Sequence, residues 1–206
     1  MCGFFGIADK NGLTENEISA VRRQSVTLQH RGPDDAGFFR DEHTAVMFRR
    51  LAIIDISKGQ QPFHAGDGRY VLVFNGQIFN FIELAGELNQ LGVIFKTRSD
   101  AEVLMETLIR WGAAGINKLN GMFSFAFYDR VEKKILLARD RLGIKPLFYS
   151  IKKYRLAFSS EVKSFYDSNL MSFEPNTDHF NEFLIWGYTC GEETLHKGIK
   201  EFPEAH

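Results

Sequence analysis

Cysteine is scarce in this chain: Cys2 and Cys190 are the only two among 206 residues, too few for a disulfide framework. Excess charge of either sign is lacking too. Against 26 Asp and Glu stand 25 Lys and Arg, for a net charge of -1, so a nucleic-acid backbone finds no electrostatic footprint. No apolar stretch approaches the roughly 20 residues of a membrane-spanning helix. The N-terminus has neither the basic nor the apolar region of a secretory signal. These absences lead us to expect a cytoplasmic protein with free thiols and with no membrane or nucleic-acid partner. Internal repeats and low-complexity linkers are missing as well. His30, His43 and His64 lack metal-ligand spacing with Cys or with one another, so no metal is expected.

What is present is an ordinary globular composition, 44% hydrophobic and 25% charged, with 20 Phe that promise a ring-rich core. The length suits one domain. Short strand-like runs dominate: "GFFGIAD", "TAVMF", "LAIIDI", "YVLVF", "MFSFAFYD", "KKILLARD", "PLFYS" and "RLAFSS". Turn residues such as Gly66-Asp67-Gly68 and Asp129-Arg130 separate several of them, which predicts antiparallel hairpins. Helical spacing appears in four places. Ile18, Val21, Ser25 and Leu28 share a face. Two stretches open on capping-box pairs, Asn80 with Glu83 and Ser99 with Glu102, and stop at Gly92 and Gly112. A late helix spans about 177–186. Strands of this kind with helices on the outer faces indicate an α+β layered sandwich. The final "LHKGIKEFPEAH" reads as a strand entering something new, so the chain is expected to be one piece of a longer protein. Cys190 reads as an inert small residue.

Cys2 is a different matter. Removal of Met1, which the small second side chain permits, would give one residue both a thiol and a free α-amine. Their unperturbed pKa values are roughly 8.5 and 7.7–8.0. The amine is then partly neutral near the working pH and can take the thiol's proton. Gly3 would let a substrate approach the backbone closely.

After Cys2-Gly3 come "HRGPDDAG", "RRLAIIDISKGQQPF", "FNGQIFN", "RSDAEVL", "LNGMFSFAFYD" and "LLARDRLGIKPLFYS". In this order and spacing they resemble the N-terminal glutaminase domain of glutamine-dependent asparagine synthetases, a class II glutamine amidotransferase, across essentially the whole chain. The resemblance implies an N-terminal-nucleophile hydrolase fold, a four-layer αββα sandwich of two antiparallel sheets between helical layers. It also implies hydrolysis of glutamine to glutamate and ammonia through a glutamyl thioester. The ammonia would go to a C-terminal synthetase domain, absent from this sequence, that uses ATP and Mg; no cofactor is implied for this part. A homodimer is compatible with it.

The resemblance assigns Cys2 as nucleophile. Asn75 and Gly76 become oxyanion donors, through the Asn side-chain amide and the Gly backbone N–H. On local pattern alone, Asn-Gly between "YVLVF" and "QIF" reads instead as a type I′ hairpin turn. Arg50 is implied to fork onto the α-carboxylate of glutamine, Asp100 to meet its ammonium, and backbone groups near Ile54 to complete the grip. Bland readings stand beside these: Arg50 as a solvated strand charge like Arg49, and Asp100 as a first-turn carboxylate favoured by the helix dipole. The loop "RGPDDAG" is expected to shape a turn over the thiol. Asp140 and Arg141 are expected to form structural ion pairs, Lys145-Pro146 a tight turn, and "MFSFAF" core.

Two positions depart from the family pattern. Gln77 replaces a carboxylate, which keeps an acceptor but loses a charge and throws glutamine binding onto Asp100. Phe48 stands where many relatives carry His. Two competing readings follow: a binding or scaffold domain that has lost the chemistry, and a stand-alone amidase. Within the asparagine-synthetase-like group, the acceptor could equally be another carboxylate, such as a sugar acid.

Overall fold

The computed structural model describes residues 1–168, 170 and 174–205. In chain order the first half contains β1 (Gly3–Asp9), α1 (Glu15–Thr27), β2 (Asp35–Arg40), β3 (Thr44–Arg50), β4 (Phe63–Ala65), β5 (Tyr70–Ile78), α2 (Phe81–Gln90) and α3 (Asp100–Trp111). The second contains β6 (Gly121–Asp129), β7 (Lys134–Arg139), β8 (Phe148–Lys152), β9 (Arg155–Ser159), α4 (Lys163–Asp167), α5 (Phe180–Trp186) and β10 (Lys200–Glu201). One sheet runs β10-β8-β9-β1-β3-β2 and the other β4-β5-β6-β7. Every pairing is antiparallel.

Period-two alternation explains the layering, because successive strand side chains point to opposite faces. In β1, Phe5 and Ile7 face α1 and α4, where they meet Ile18, Val21, Leu28 and Phe165. Phe4 faces the other sheet and packs with Phe48, Val73, Ala126 and Phe158. In β6 the pattern is sharper. Phe123, Phe125 and Phe127 turn outward onto α2 and α3, against Leu84, Leu88, Leu104 and Leu108. Ser124 and Ala126 between them are buried on the inner side. Each buried ring contributes roughly 1.5–3 kcal/mol. The result is the four-layer α+β sandwich expected from the sequence, helices outside and two sheets within. Phe48, at a position marked above as a departure, is fully buried in the layer between the sheets.

Several local expectations need correcting. "LAIIDI" (51–56) is a loop, not a strand: Asp55 adopts φ 43°, and the carbonyls of Ile54, Asp55 and Ile56 accept from Arg50 instead of a neighbouring strand. The strand β2 went unread because Asp35-Ala36-Gly37 carries no apolar alternation. Asn80 does not cap α2; its side chain donates to the Lys118 carbonyl and accepts from the Asn120 N–H. Ser99 does cap α3, but Glu102 turns to the N–H groups of Lys96 and Thr97. The complete capping box lies at α1, between Thr14 and Glu17. The closing stretch joins the first sheet as its edge strand, Lys200 opposite Tyr149; His206 lies outside the described residues. Cys190 is exposed on the loop after α5, not buried.

Helix α5 buries none of its residues. Leu184, Ile185 and Trp186 are 79%, 71% and 62% exposed, although FNEFLIW is apolar on nearly every side.

Candidate active site

Cys2 sits at the lip of the sandwich, just before β1. Its Sγ accepts from the Leu51 N–H at 3.4 Å and lies 3.6 Å from the Leu51 carbonyl. Burial pushes the thiol pKa up; the Leu51 N–H, the N-terminal charge, Arg50 and Arg31 pull against it. A raised thiol pKa means that the resting group is S–H and that reaction needs a base.

The carbonyl of Cys2 accepts from Arg31 Nε at 2.9 Å, and Arg31 Nη1 is ion-paired with Glu161 at 3.0 Å. Three groups therefore hold Glu161 low against its burial: Arg31, His30 and Lys163. Gly3 fits this arrangement, since a Cβ there would meet Arg31 Cδ at 2.9 Å. The loop carrying Arg31 is fixed to the end of β3 by Arg49, which donates to the Gly32 and Pro33 carbonyls. It is also fixed by Asp34, whose Oδ2 accepts from the Ala52 N–H at 2.8 Å. "RGPDDAG" thus shapes the surroundings of the thiol, and Arg49 is not a free surface charge.

A cavity of about 110 Å³ opens beside Cys2, and Arg50, Ile54, Asn75, Gly76, Gln77 and Asp100 all line it. Met1 forms part of its wall. The structure thus brings together every residue singled out for the site. A roomier groove of about 320 Å³ lies at the far end of β1, lined by Asp9, Lys152 and Arg155, and no cysteine is among the residues that line it.

Asn75 and Gly76 are not at a turn. They lie within the nine-residue strand β5, paired with Ser124 and Phe123 of β6. Asn75 is 1% exposed, and its Nδ2 has no hydrogen-bond partner among the described residues. An unpaired buried amide is costly unless something else accepts from it. A Cβ on Gly76 would come within 2.2 Å of the Met122 carbonyl, so glycine is required by the approach of β6. The neighbouring peptide is held by Gln61, whose side chain both donates to the Phe74 carbonyl and accepts from its N–H.

Asp100 opens α3, buried, and its Oδ2 accepts from the Ile78 N–H at 3.1 Å. Burial raises its pKa against the backbone N–H groups that favour the charge. First-turn carboxylate and pocket acid are here the same residue. Arg50 is buried. Three of the five guanidinium N–H bonds go to loop carbonyls: Nη1 to Ile56, Nη2 to Ile54 and Asp55. Two are left for a ligand.

The sequence reading passed over two groups at this site. Arg31 was legible only as part of a loop motif. Lys145 was read as a turn former, yet it lines the same cavity. The turn that carries it is organised by Asp140, which forms no ion pair: Oδ1 accepts from Leu142 and Ile144, and Oδ2 from Lys145 and Phe123. Arg141 likewise donates to carbonyls, those of Leu119 and Asn117. Among the described residues no three His, Cys, Asp or Glu side chains are placed to hold a metal.

The model of the glutamine amidotransferase domain family matches residues 1–206. This chain belongs to that family. It is 42% identical over 203 residues to asparagine synthetase [glutamine-hydrolyzing] 1 of Bacillus subtilis, a match covering 98% of the chain and 32% of the relative. Asparagine synthetase B [glutamine-hydrolyzing] of Escherichia coli is 34% identical over 166 residues, covering 80% of the chain and 30% of the relative. The chain spans about a third of the length of these relatives. Among solved structures, glutamine phosphoribosylpyrophosphate amidotransferase from B. subtilis superposes with a TM-score of 0.66 at 22% identity, over 82% of this chain and 44% of that one. At that identity the likeness is one of fold, and it agrees with the expected N-terminal-nucleophile hydrolase architecture. As a glutamine amidotransferase domain, the protein is an enzyme domain. No helix among its described residues is long and apolar enough to cross a membrane.

Proposed function

We propose that this domain hydrolyses glutamine to glutamate and ammonia through a thioester on Cys2. Loss of Met1 frees the α-amine, which takes the proton from the Cys2 thiol as sulfur attacks the side-chain amide carbon. The oxygen of the tetrahedral adduct gains charge, and Asn75 Nδ2 and the Gly76 N–H donate to it. The carbon–nitrogen bond then breaks as the α-ammonium returns its proton to the leaving nitrogen, which departs as ammonia. Water, deprotonated by the same amine, attacks the thioester and releases glutamate with the thiol restored. Asp100 receives the ammonium of glutamine, and Arg50 offers its remaining N–H bonds to the α-carboxylate.

The observation that carries this reading is the partnerless buried amide of Asn75 in the cavity that also holds Cys2. The test is glutamate release by protein whose N-terminal mass shows Met1 removed. Cys2→Ala should release none; activity in that variant refutes the assignment. Retention of Met1 would block the base and favour a scaffold role.

The ammonia, on this proposal, goes to an ATP- and Mg-dependent synthetase domain of a longer cytoplasmic protein, with asparagine as product or an amide of another carboxylate. The names and lengths of the relatives support this. So does α5, whose exposed Leu184, Ile185 and Trp186 suit a further layer of protein.

A further inference from the structure

Lys145 is a buried cation that the reaction above does not use. Its side chain is nearly enclosed, the residue being 7% exposed, and no carboxylate among the described residues lies in salt-bridge range of its Nζ. The one partner of Nζ is Met1 Sδ, at 3.4 Å. Its backbone is fixed independently of the side chain. The N–H donates to Asp140 Oδ2 at 3.0 Å, and the carbonyl accepts from Arg139 Nε at 3.0 Å. A rigid turn therefore holds an ammonium with no carboxylate in contact in the cavity that contains Cys2, against the residue whose removal uncovers a second amine.

We propose that Lys145 is a positioning residue for the glutaminase chemistry. Its ammonium keeps the freed α-amine of Cys2 in the neutral, proton-accepting form and favours the thiolate as it develops. This deepens the reading given under Proposed function and rests on it. Two amines sharing one cavity titrate as a coupled pair. Their unperturbed values, roughly 10.4 for Lys and 7.7–8.0 for the α-amine, decide which gives up its proton: Lys145 stays charged and the α-amine does not. The charges around the ammonium act on it in both directions, that of Cys2 once it is a thiolate. Burial and then Arg31 push Lys145 down, while Asp140 and Cys2 pull it up.

The other charged groups around Cys2 cannot do this work as directly. Arg31 is tied to the Cys2 carbonyl and to Glu161, Arg50 to the loop carbonyls, and Asp100, across the cavity, accepts from Ile78. Of these three cations, only Lys145 has a head group with no oxygen partner among the described residues.

The experiment compares wild type, Lys145→Met, Lys145→Gln and Lys145→Arg, each with Met1 removed and each confirmed folded by circular dichroism. The rate of Cys2 alkylation by iodoacetamide is followed against pH, together with kcat/KM for glutamine. Removing the positive charge should raise the midpoint of the acid limb by about one unit in both profiles. Lys145→Arg should restore it, with KM little changed. A midpoint in the folded neutral variants that coincides with wild type overturns the inference, because a purely structural role lowers rate without moving the limb. Alkylation does not depend on turnover. If processed wild type releases no glutamate, the glutaminase reading fails, and the alkylation midpoints still decide what Lys145 does to the amine and thiol.

Discussion

Asp140→Asn is the substitution whose cost follows most directly from geometry. Both carboxylate oxygens accept from two backbone N–H groups each: Oδ1 from Leu142 at 3.1 Å and Ile144 at 2.9 Å, Oδ2 from Phe123 at 3.1 Å and Lys145 at 3.0 Å. The residue is 1% exposed, so water cannot substitute. Whichever way the amide turns, its NH2 faces two donors and two hydrogen bonds are lost. At about 1.5–3 kcal/mol for each bond to a charged acceptor, the loss is about 3–6 kcal/mol. For a chain of this size that lowers Tm by roughly 6–24 °C. Burial works against the charge on Asp140, but the four donors win and hold its pKa below the usual carboxylate range. A folded pKa below the unfolded value of about 3.9 means that the stabilisation is fully present above about pH 4. It fades as pH falls further, through the folded value. Urea unfolding of wild type and variant from pH 8 down to pH 3 is the assay. The gap should be constant from pH 8 to 5 and shrink only below about pH 4. A gap under about 1 kcal/mol at pH 7, or one that drifts between pH 8 and 5, would show that the four bonds do not hold the turn as described.

Other expected outcomes concern the cavity. Asn75→Ala should lower kcat for glutamine roughly 10²–10³-fold with KM and Tm nearly unchanged, as stopped assays and a thermal melt will show. Gly76→Ala should cost about 1–3 kcal/mol and lose activity as well, because the new methyl meets the Met122 carbonyl and must part β5 from β6. Asp100 has a folded pKa raised chiefly by burial, so its ionised form weakens the fold as pH rises through that value. Asp100→Asn should therefore raise Tm slightly at pH 7 while KM for glutamine climbs at least about tenfold. In wild type, KM should rise as pH falls through the raised pKa of Asp100; a KM that stays flat as far into acid as the enzyme remains folded would remove Asp100 from ammonium binding.

The layers of this fold were open to sequence reading because each strand buries two different faces. Phe123, Phe125 and Phe127 alternate with Ser124 and Ala126, and a one-residue slip would put three rings between the sheets and leave the helices nothing to rest on. The same rule misled at 51–56. The run "LAIIDI" is apolar enough for a strand, but no periodicity could show that Arg50 would take its carbonyls or that Asp55 would sit at φ 43°. Caps failed for a related reason. Asn80 and Glu102 carry the right atoms at the right spacing, yet other backbone donors compete for them: Asn120, brought close by the tertiary fold, for Asn80, and Lys96 and Thr97 of the loop before α3 for Glu102.

For the site, spacing alone favoured a turn at Asn75-Gly76, since Asn-Gly is the commonest short hairpin signal. The resemblance pointed instead to a pair of donors. What separates the two is the cost of an unsatisfied group. A turn would have left the Asn75 amide in water, where it needs no partner; inside β5 it is buried beside the thiol with nothing to donate to. The same accounting exposes Lys145, which the sequence offered only as a neighbour of Pro146. Strand packing alone gives no reason to enclose, in one small cavity, an amide with no partner among the described residues and an ammonium whose only contact is Met1 Sδ. Each would be stabilised by an acceptor or a negative charge forming there, which is what the proposed reaction supplies.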